Sequence, residues 1–212
     1  MTSSIHPAGS RPLRAGHELD AAETPRLWRV HHGVIGVVHD AAGIEERPQF
    51  LALPGDLIGA DALAGLATPS RVFAVTAAEL EAVVCPDAPS RHEVLSLAYA
   101  QSRRQGREIV RLRTGSVADR VKQMLLLLGD DDAGADESDV ELPSLRRLAD
   151  ILDASPEAIC RVIGRMRQLD LLGAREQHRR ARVSTRALTE LVPRPGMSSS
   201  LPCYRLDRLP AP

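Results

Sequence analysis

The sequence predicts an α+β fold: a β-rich N-terminal part, one long helix, and a C-terminal part in which two short helices precede a basic hairpin. Three observations carry this. Short apolar runs broken by Gly, Pro and Asp turns fill the chain from Leu13 to about Val84. Helix formers follow from Ser90 to about Arg113 without such breaks. Further on, two brief segments of helical periodicity are separated by only Asp153-Ala154.

In the first part the apolar runs are Leu27 to Val30, Val34 to Val38, Phe50 to Leu53, Val72 to Val75 and Leu80 to Val84. Turns at Gly33, Ala42-Gly43, Pro54-Gly55-Asp56 and Pro69-Ser70 separate them, the texture of a sandwich or small barrel. Residues 1–12 are polar, with Pro7, Gly9 and Pro12, and are expected to fray.

Ser90 is the expected N-cap of the long helix. Along it, Leu95, Tyr99, Ser102, Gly106, Ile109 and Arg113 are spaced 4, 3, 4, 3 and 4 apart, a heptad seam. Leu95, Tyr99, Ser102, Gly106 and Ile109 are therefore candidate dimer-interface residues. Ser102 and Gly106 add little apolar area, and the alternative is that this face packs on the β part. Thr114-Gly115-Ser116 interrupts, and Ser116 caps a second helix through Leu128. Gly129 to Ser138 reads as an acidic solvated loop without the spacing of a calcium loop. Val140 to Leu142 reads as a short strand, and Ser144 caps a helix carrying Leu145, Leu148, Ala149, Ile151 and Leu152.

Composition narrows the function classes. The 212 residues suffice for one large or two small domains, and 43% apolar content is ordinary for a folded chain. Aromatics at 2% are too few for base-stacking platforms. No apolar run approaches the ~20 residues of a membrane helix. The N-terminus lacks the basic and apolar regions of an export signal, so a cytoplasmic protein is expected. Cys85, Cys160 and Cys203 form no CxxC pair and no zinc spacing, and no catalytic constellation can be argued, so neither a metal, a cofactor nor an enzyme activity is expected. The formal charge of −1 hides an asymmetry: residues 144–186 carry ten Arg against five acids, while residues 1–143 are net −7. A basic segment on an acidic chain is the footprint of a nucleic-acid module.

Within that segment, Ser155-Pro156-Glu157 starts a helix with a capping Ser, Pro at the first position and an acid in the first turn. At about 100° per residue, Ile159, Val162, Ile163, Met166 and Leu169 share one face. Glu157, Arg161, Gly164, Arg165 and Gln168 share the other. Arg donates two hydrogen bonds to guanine and Glu accepts from cytosine, so Glu157, Arg161 and Arg165 are the candidate base readers. Leu171 to Val183 reads as a hairpin whose Arg175, His178, Arg179, Arg180 and Arg182 suit phosphates. The Ser144 and Ser155 hydroxyls at the two helix starts join Arg175, Arg179 and Arg180 as candidate phosphate ligands. The expected partner is double-stranded DNA.

The stretch from Ser155 to Leu172 resembles the recognition helix of CRP/FNR-type bacterial transcription regulators, most like the FNR branch. Their S-x-E-T-x-S/G-R core is matched at Ser155, Glu157 and Arg161. Leu53-Pro54-Gly55-Asp56-Leu57-Ile58-Gly59 looks like the family's L-x-x-G-D-x-x-G turn. Leu27 to Gly33 resembles the family strand that ends at a glycine. The resemblance implies an antiparallel β-roll over 13–88, similar to a cyclic-nucleotide-binding domain, and a dimerisation helix over 89–113. It implies a winged helix-turn-helix over 114–190, leaving 191–212 as a flexible tail. It also implies a homodimer on a palindromic site, with RNA polymerase as a further partner.

The departures concern the effector. Relatives that bind cyclic nucleotides carry Gly-Glu and Arg-Ser, where this chain has Gly59-Ala60 and Ser70-Arg71. The FNR-type cluster needs N-terminal cysteines, and none precedes Cys85. His31, His32 or His39 could bind haem only singly, because adjacent strand residues point to opposite faces. Cys160 sits beside the reading face. The expectation is a sequence-specific regulator with a degenerate or unidentified effector pocket. The alternatives are a cupin-like small-molecule or metal binder and a dimeric signalling adaptor that does not bind DNA.

Overall fold

The computed structural model describes residues 6–20, 23–24, 26–39, 47–65, 70–129, 136–173 and 180–190. The expected turn at Ala42-Gly43, Pro69 of the next turn, the residues Arg175, His178 and Arg179, and the expected tail lie outside these. The chain divides into two compact units, Met1–Ile109 and Val110–Pro212.

The first unit holds β1 (His6–Leu13), β2 (Trp28–His32), β3 (Ile35–His39), β4 (Phe50–Ala52), β5 (Leu57–Ile58), β6 (Ser70–Ala74) and β7 (Ala78–Val84). All pairs are antiparallel, in a four-stranded sheet of order β1-β7-β2-β5 and a three-stranded sheet of order β4-β3-β6. Trp28, Val30, Ile35, Val37, Val72, Ala74 and Leu80 belong to one buried cluster. This is the antiparallel β-roll that the family resemblance implied, where the apolar runs and turns alone called for a sandwich or small barrel.

Residues 6–13 do not fray. They form β1 against β7, with a register break between Pro7 and Ser10. An edge strand tolerates proline because one row of its N–H groups pairs with nothing in the sheet. Gly9, at φ 134, takes up the irregularity with a backbone that side-chain-bearing residues rarely adopt. His31 and His32 are both exposed, and β2 has a register break between Val30 and His32. Gly36 lies opposite Phe73, whose ring stands 2.4 Å from where a Cβ would be. Only glycine fits beneath that ring.

The long helix α1 (Ala88–Arg113) begins two residues before Ser90. Ser90 is its third residue and is buried; Asp87 is the cap, its Oδ1 accepting from Ser90 N at 2.8 Å. Asp87 N returns a hydrogen bond to Ser90 Oγ at 3.3 Å, completing a reciprocal box. Within the first unit α1 is fastened to the Pro54-Gly55-Asp56 turn by polar side chains. The Gln101 amide accepts from Leu57 N and donates to Leu57 O, both at 2.8 Å, as a neighbouring strand would. Arg104 pairs with Asp56, whose Oδ2 also accepts from Leu53 N at 2.8 Å, and Gln105 donates to Leu51 O at 3.2 Å. The opposite side of α1 is open: Leu95, Tyr99, Ser102 and Gly106 are exposed, and Ile109 is half-buried. Leu95, Tyr99, Ser102 and Gly106 are therefore not covered by the β part of the first unit.

The second unit contains α2 (Val117–Leu128), β8 (Glu137–Glu141), α3 (Leu145–Leu152), α4 (Pro156–Gln168), β9 (Arg180–Ser184) and α5 (Thr185–Glu190). Ser116 caps α2 in a full capping box with Asp119, as its position suggested. The strand expected at Val140 to Leu142 begins earlier, at Glu137, because its partner β9 continues to Ser184 and pairs back to that residue. Acidic residues on one strand are tolerated where the facing strand is basic: Asp139 lies across from Arg182. The core joins Val121, Met124 and Leu125 of α2 with Leu148, Ile151 and Leu152 of α3 and Ile159, Val162, Ile163 and Met166 of α4.

Candidate nucleic-acid interface

The sequence of α4 decides its two faces. Ile159, Val162, Ile163 and Met166 are buried and Leu169 is half-buried. Glu157, Arg161, Arg165 and Gln168 lie on the other side, away from that core, and Gly164 between them is half-buried. The apolar face holds the helix down, so the polar face points outward with a fixed rotation. Arg165 Nη1 donates to Gln168 Oε1 at 3.1 Å, which steadies the last turn of that face. Cys160 is exposed beside Arg161, whereas Cys85 in the first unit is half-buried and burial pushes its thiol up.

The helix starts are built as the sequence indicated. Ser155 Oγ accepts from Ala158 N at 3.2 Å, and Pro156 follows as the first helical residue. Ser144 Oγ accepts from Arg147 N at 3.2 Å. Each hydroxyl acts as an acceptor within the protein, which leaves its own proton for an outside acceptor such as a phosphate oxygen. The connection between α3 and α4 is tight because Asp153 adopts a left-handed conformation, φ 50, and its N–H returns to Ala149 O.

Arg180 opens β9 and is exposed. Arg182 differs from expectation: its Nε lies 3.4 Å from Asp139 Oδ1 and 3.9 Å from Glu137 Oε2 on β8, so its charge is directed to its own sheet. Leu172 bridges Val183, and Gly173 N donates to Arg182 O at 2.7 Å, which closes the hairpin base next to the end of α4. Two arginine contacts escape the sequence reading, which places Arg113 only in the seam of α1. Arg113 and Arg120 donate to carbonyls at the end of α3, and no spacing marks such contacts because the acceptors are backbone atoms more than thirty residues away.

In the first unit, Gly59 at φ 84 leads into a 3₁₀ turn over Ala60–Ala64, and a Cβ on it would stand 2.2 Å from Arg26 O. Ala60 packs against the apolar cluster of Leu27, Leu57, Val83 and Val94. Arg71 forms an ion pair with Glu18. Among the described residues no group of three His, Cys, Asp or Glu side chains could hold a metal ion, and no helix is long and apolar enough to cross a membrane.

No family model matches the chain, and no curated protein matches its sequence. Solved structures do. A CRP-family transcriptional regulator from Thermus thermophilus is 25% identical, with a TM-score of 0.65 over 84% of this chain and 94% of its own. A CRP/FNR-family regulator from the same organism is 20% identical, with a TM-score of 0.62 over 86% and 97%. FixK2 from Bradyrhizobium japonicum is 17% identical, with a TM-score of 0.62 over 85% and 95%. Over most of both chains this protein therefore shares the architecture of CRP/FNR-type transcription regulators, and the Ser155, Glu157 and Arg161 of the sequence resemblance lie at the start and on the outward face of α4.

Proposed function

We propose that this protein is a homodimeric, sequence-specific DNA-binding regulator in which α3 and α4 form a helix-turn-helix and β8 and β9 belong to its wing. The observation that carries the reading is the two-faced α4. Its apolar side is locked into the second unit while Glu157, Arg161 and Arg165 stand exposed together. That is the arrangement that sends side chains to base edges in a major groove. Ser144, Ser155 and Arg180 flank the face with donors for phosphates, and Arg175 and Arg179, outside the described residues, are the further phosphate ligands of this reading. RNA polymerase is a further partner at activated promoters. The domain plan is a β-roll over 13–88, a dimerisation helix over 89–113 and the DNA-binding part over 114–190.

Dimerisation follows from α1. Tyr99 is 68% exposed, Val110 57% and Leu95 38%, on a helix with heptad spacing. A second copy covering this stripe gives twofold symmetry, and with it two α4 helices on one palindrome. The β-roll is a sensor whose nucleotide-binding residues are replaced: Ala60 is apolar and Arg71 is engaged by Glu18. Binding-site selection with the intact protein should return a palindrome with half-sites about one helical turn apart. Recovery of random sequence would refute the proposal.

A further inference from the structure

The end of α3 is capped by two arginines that lie outside the reading face. Arg113, the last residue of α1, donates from Nε to Ile151 O at 3.3 Å. Arg120, in the first turn of α2, holds two turns at once. Its Nη1 donates to Leu152 O at 3.0 Å and to Asp153 O at 2.8 Å. Its Nε and Nη2 donate to Gly115 O at 3.1 Å and 3.0 Å. One planar guanidinium thus joins the turn between α1 and α2 to the turn between α3 and α4. Both turns contain a left-handed residue, Gly115 at φ 84 and Asp153 at φ 50, so each has a defined backbone for the clamp to hold. A cation at a helix C-terminus is also favoured by the partial negative charge of the free carbonyls.

We propose that Arg120 is a positioning residue for DNA reading: it fixes the α3–α4 turn against the α1–α2 turn, so that α4 is presented at one angle. The proposal rests on the DNA-binding function set out above. Its physical basis is the difference in range between two kinds of contact. Hydrogen bonds to base edges fail with small misplacements, whereas attraction to phosphates is long-ranged and tolerates them. Loosening the clamp therefore removes selectivity before it removes affinity. Lysine cannot replace it fully, because a single ammonium lacks the fork that spans the two turns.

The test compares the full-length protein with Arg120→Gln and Arg120→Lys on a selected operator and on a scrambled duplex, alongside hydrogen exchange of the free proteins. Arg120→Gln should lose at least tenfold in operator affinity. Its affinity for the scrambled duplex and its salt slope should stay unchanged. Amides at 153–158 should exchange at least tenfold faster, while those in the middle of α2 should not. Arg120→Lys, which keeps the charge and guards against a variant that fails to fold, should fall between. An unchanged operator preference in both variants overturns the proposal and leaves the DNA-binding function intact. Equal losses on both duplexes with a shallower salt slope overturn it too, because Arg120 would then be a phosphate ligand. If the unaltered protein itself shows no operator preference, the DNA-binding function fails and the proposal fails with it.

Discussion

On the proposed function, single residues on α4 and β9 carry different kinds of binding energy, and substitution separates them. Arg161→Ala removes an exposed side chain on the side of α4 away from the core, so the second unit should stay folded. Operator affinity should fall by ~1–3 kcal/mol, with preference relaxed at one base position. Quantitative selection on a library randomised at each half-site position reads this directly; a uniform loss at every position would contradict base reading. Arg180→Ala should do the opposite, weakening all duplexes alike and lowering the salt slope by about 1. Arg182→Ala serves as a contrast, since Asp139 and Glu137 already engage its charge.

Helix ends and packed faces are where the elements gain their stability. Ile151 and Ile159 are fully buried between α3 and α4. Truncating Ile151 to Ala should cost ~2–5 kcal/mol, measured as a shift in the urea midpoint of the second unit. At the start of α1, hydrogen bonds from Ser90, side chain first and backbone N–H second, hold the Asp87 carboxyl below its ordinary 3.8. A depressed carboxylate stabilises the fold above its unfolded value and loses that contribution as pH falls through the folded value. The Asp87 carboxyl resonance should therefore titrate with a midpoint below 3.8, and Ser90→Ala should move it back up. An unmoved midpoint would mean that the capping box does not set it.

The whole molecule depends on α1. Its Gln101, Arg104 and Gln105 side grips the β4–β5 turn, and its Leu95–Tyr99–Ser102–Gly106 side is left open. In the proposed dimer, Tyr99→Glu places a charge on the exposed stripe of both copies. Losing ~1.5 kcal/mol of burial per copy should weaken the dimer by about 100-fold. Sedimentation equilibrium should show monomers, and operator binding should fall with them. A dimer of unchanged strength would place the interface elsewhere.

How much of this was legible depended on whether the signal was local. Caps at Ser116, Ser144 and Ser155 were readable because a side chain reaches its own helix's first turn. The two faces of α4 followed from helical periodicity; periodicity also marked the seam of α1, but its exposure is seen only in the structure. The cap at Asp87 was displaced by three residues because Ser90 shares the same box and looks equivalent in sequence. Strand β1 was missed because prolines and a glycine argue against a strand until its edge position is known. The early start of β8 was missed because an acidic run reads as solvent-exposed until the Arg-bearing partner strand is placed beside it.

The sequence by itself determined the succession of helices α1 to α4, the outward side of α4 and the resemblance carried by Ser155, Glu157 and Arg161. Each of these depends on neighbours within about four positions on one helix. Only the tertiary structure decided that Arg182 faces its own sheet, that Gln101 pairs with the Leu57 backbone and that Arg120 ties together the turns on either side of it. Most of these contacts join residues thirty or more positions apart, and most of them end on backbone atoms, which carry no identity in the sequence.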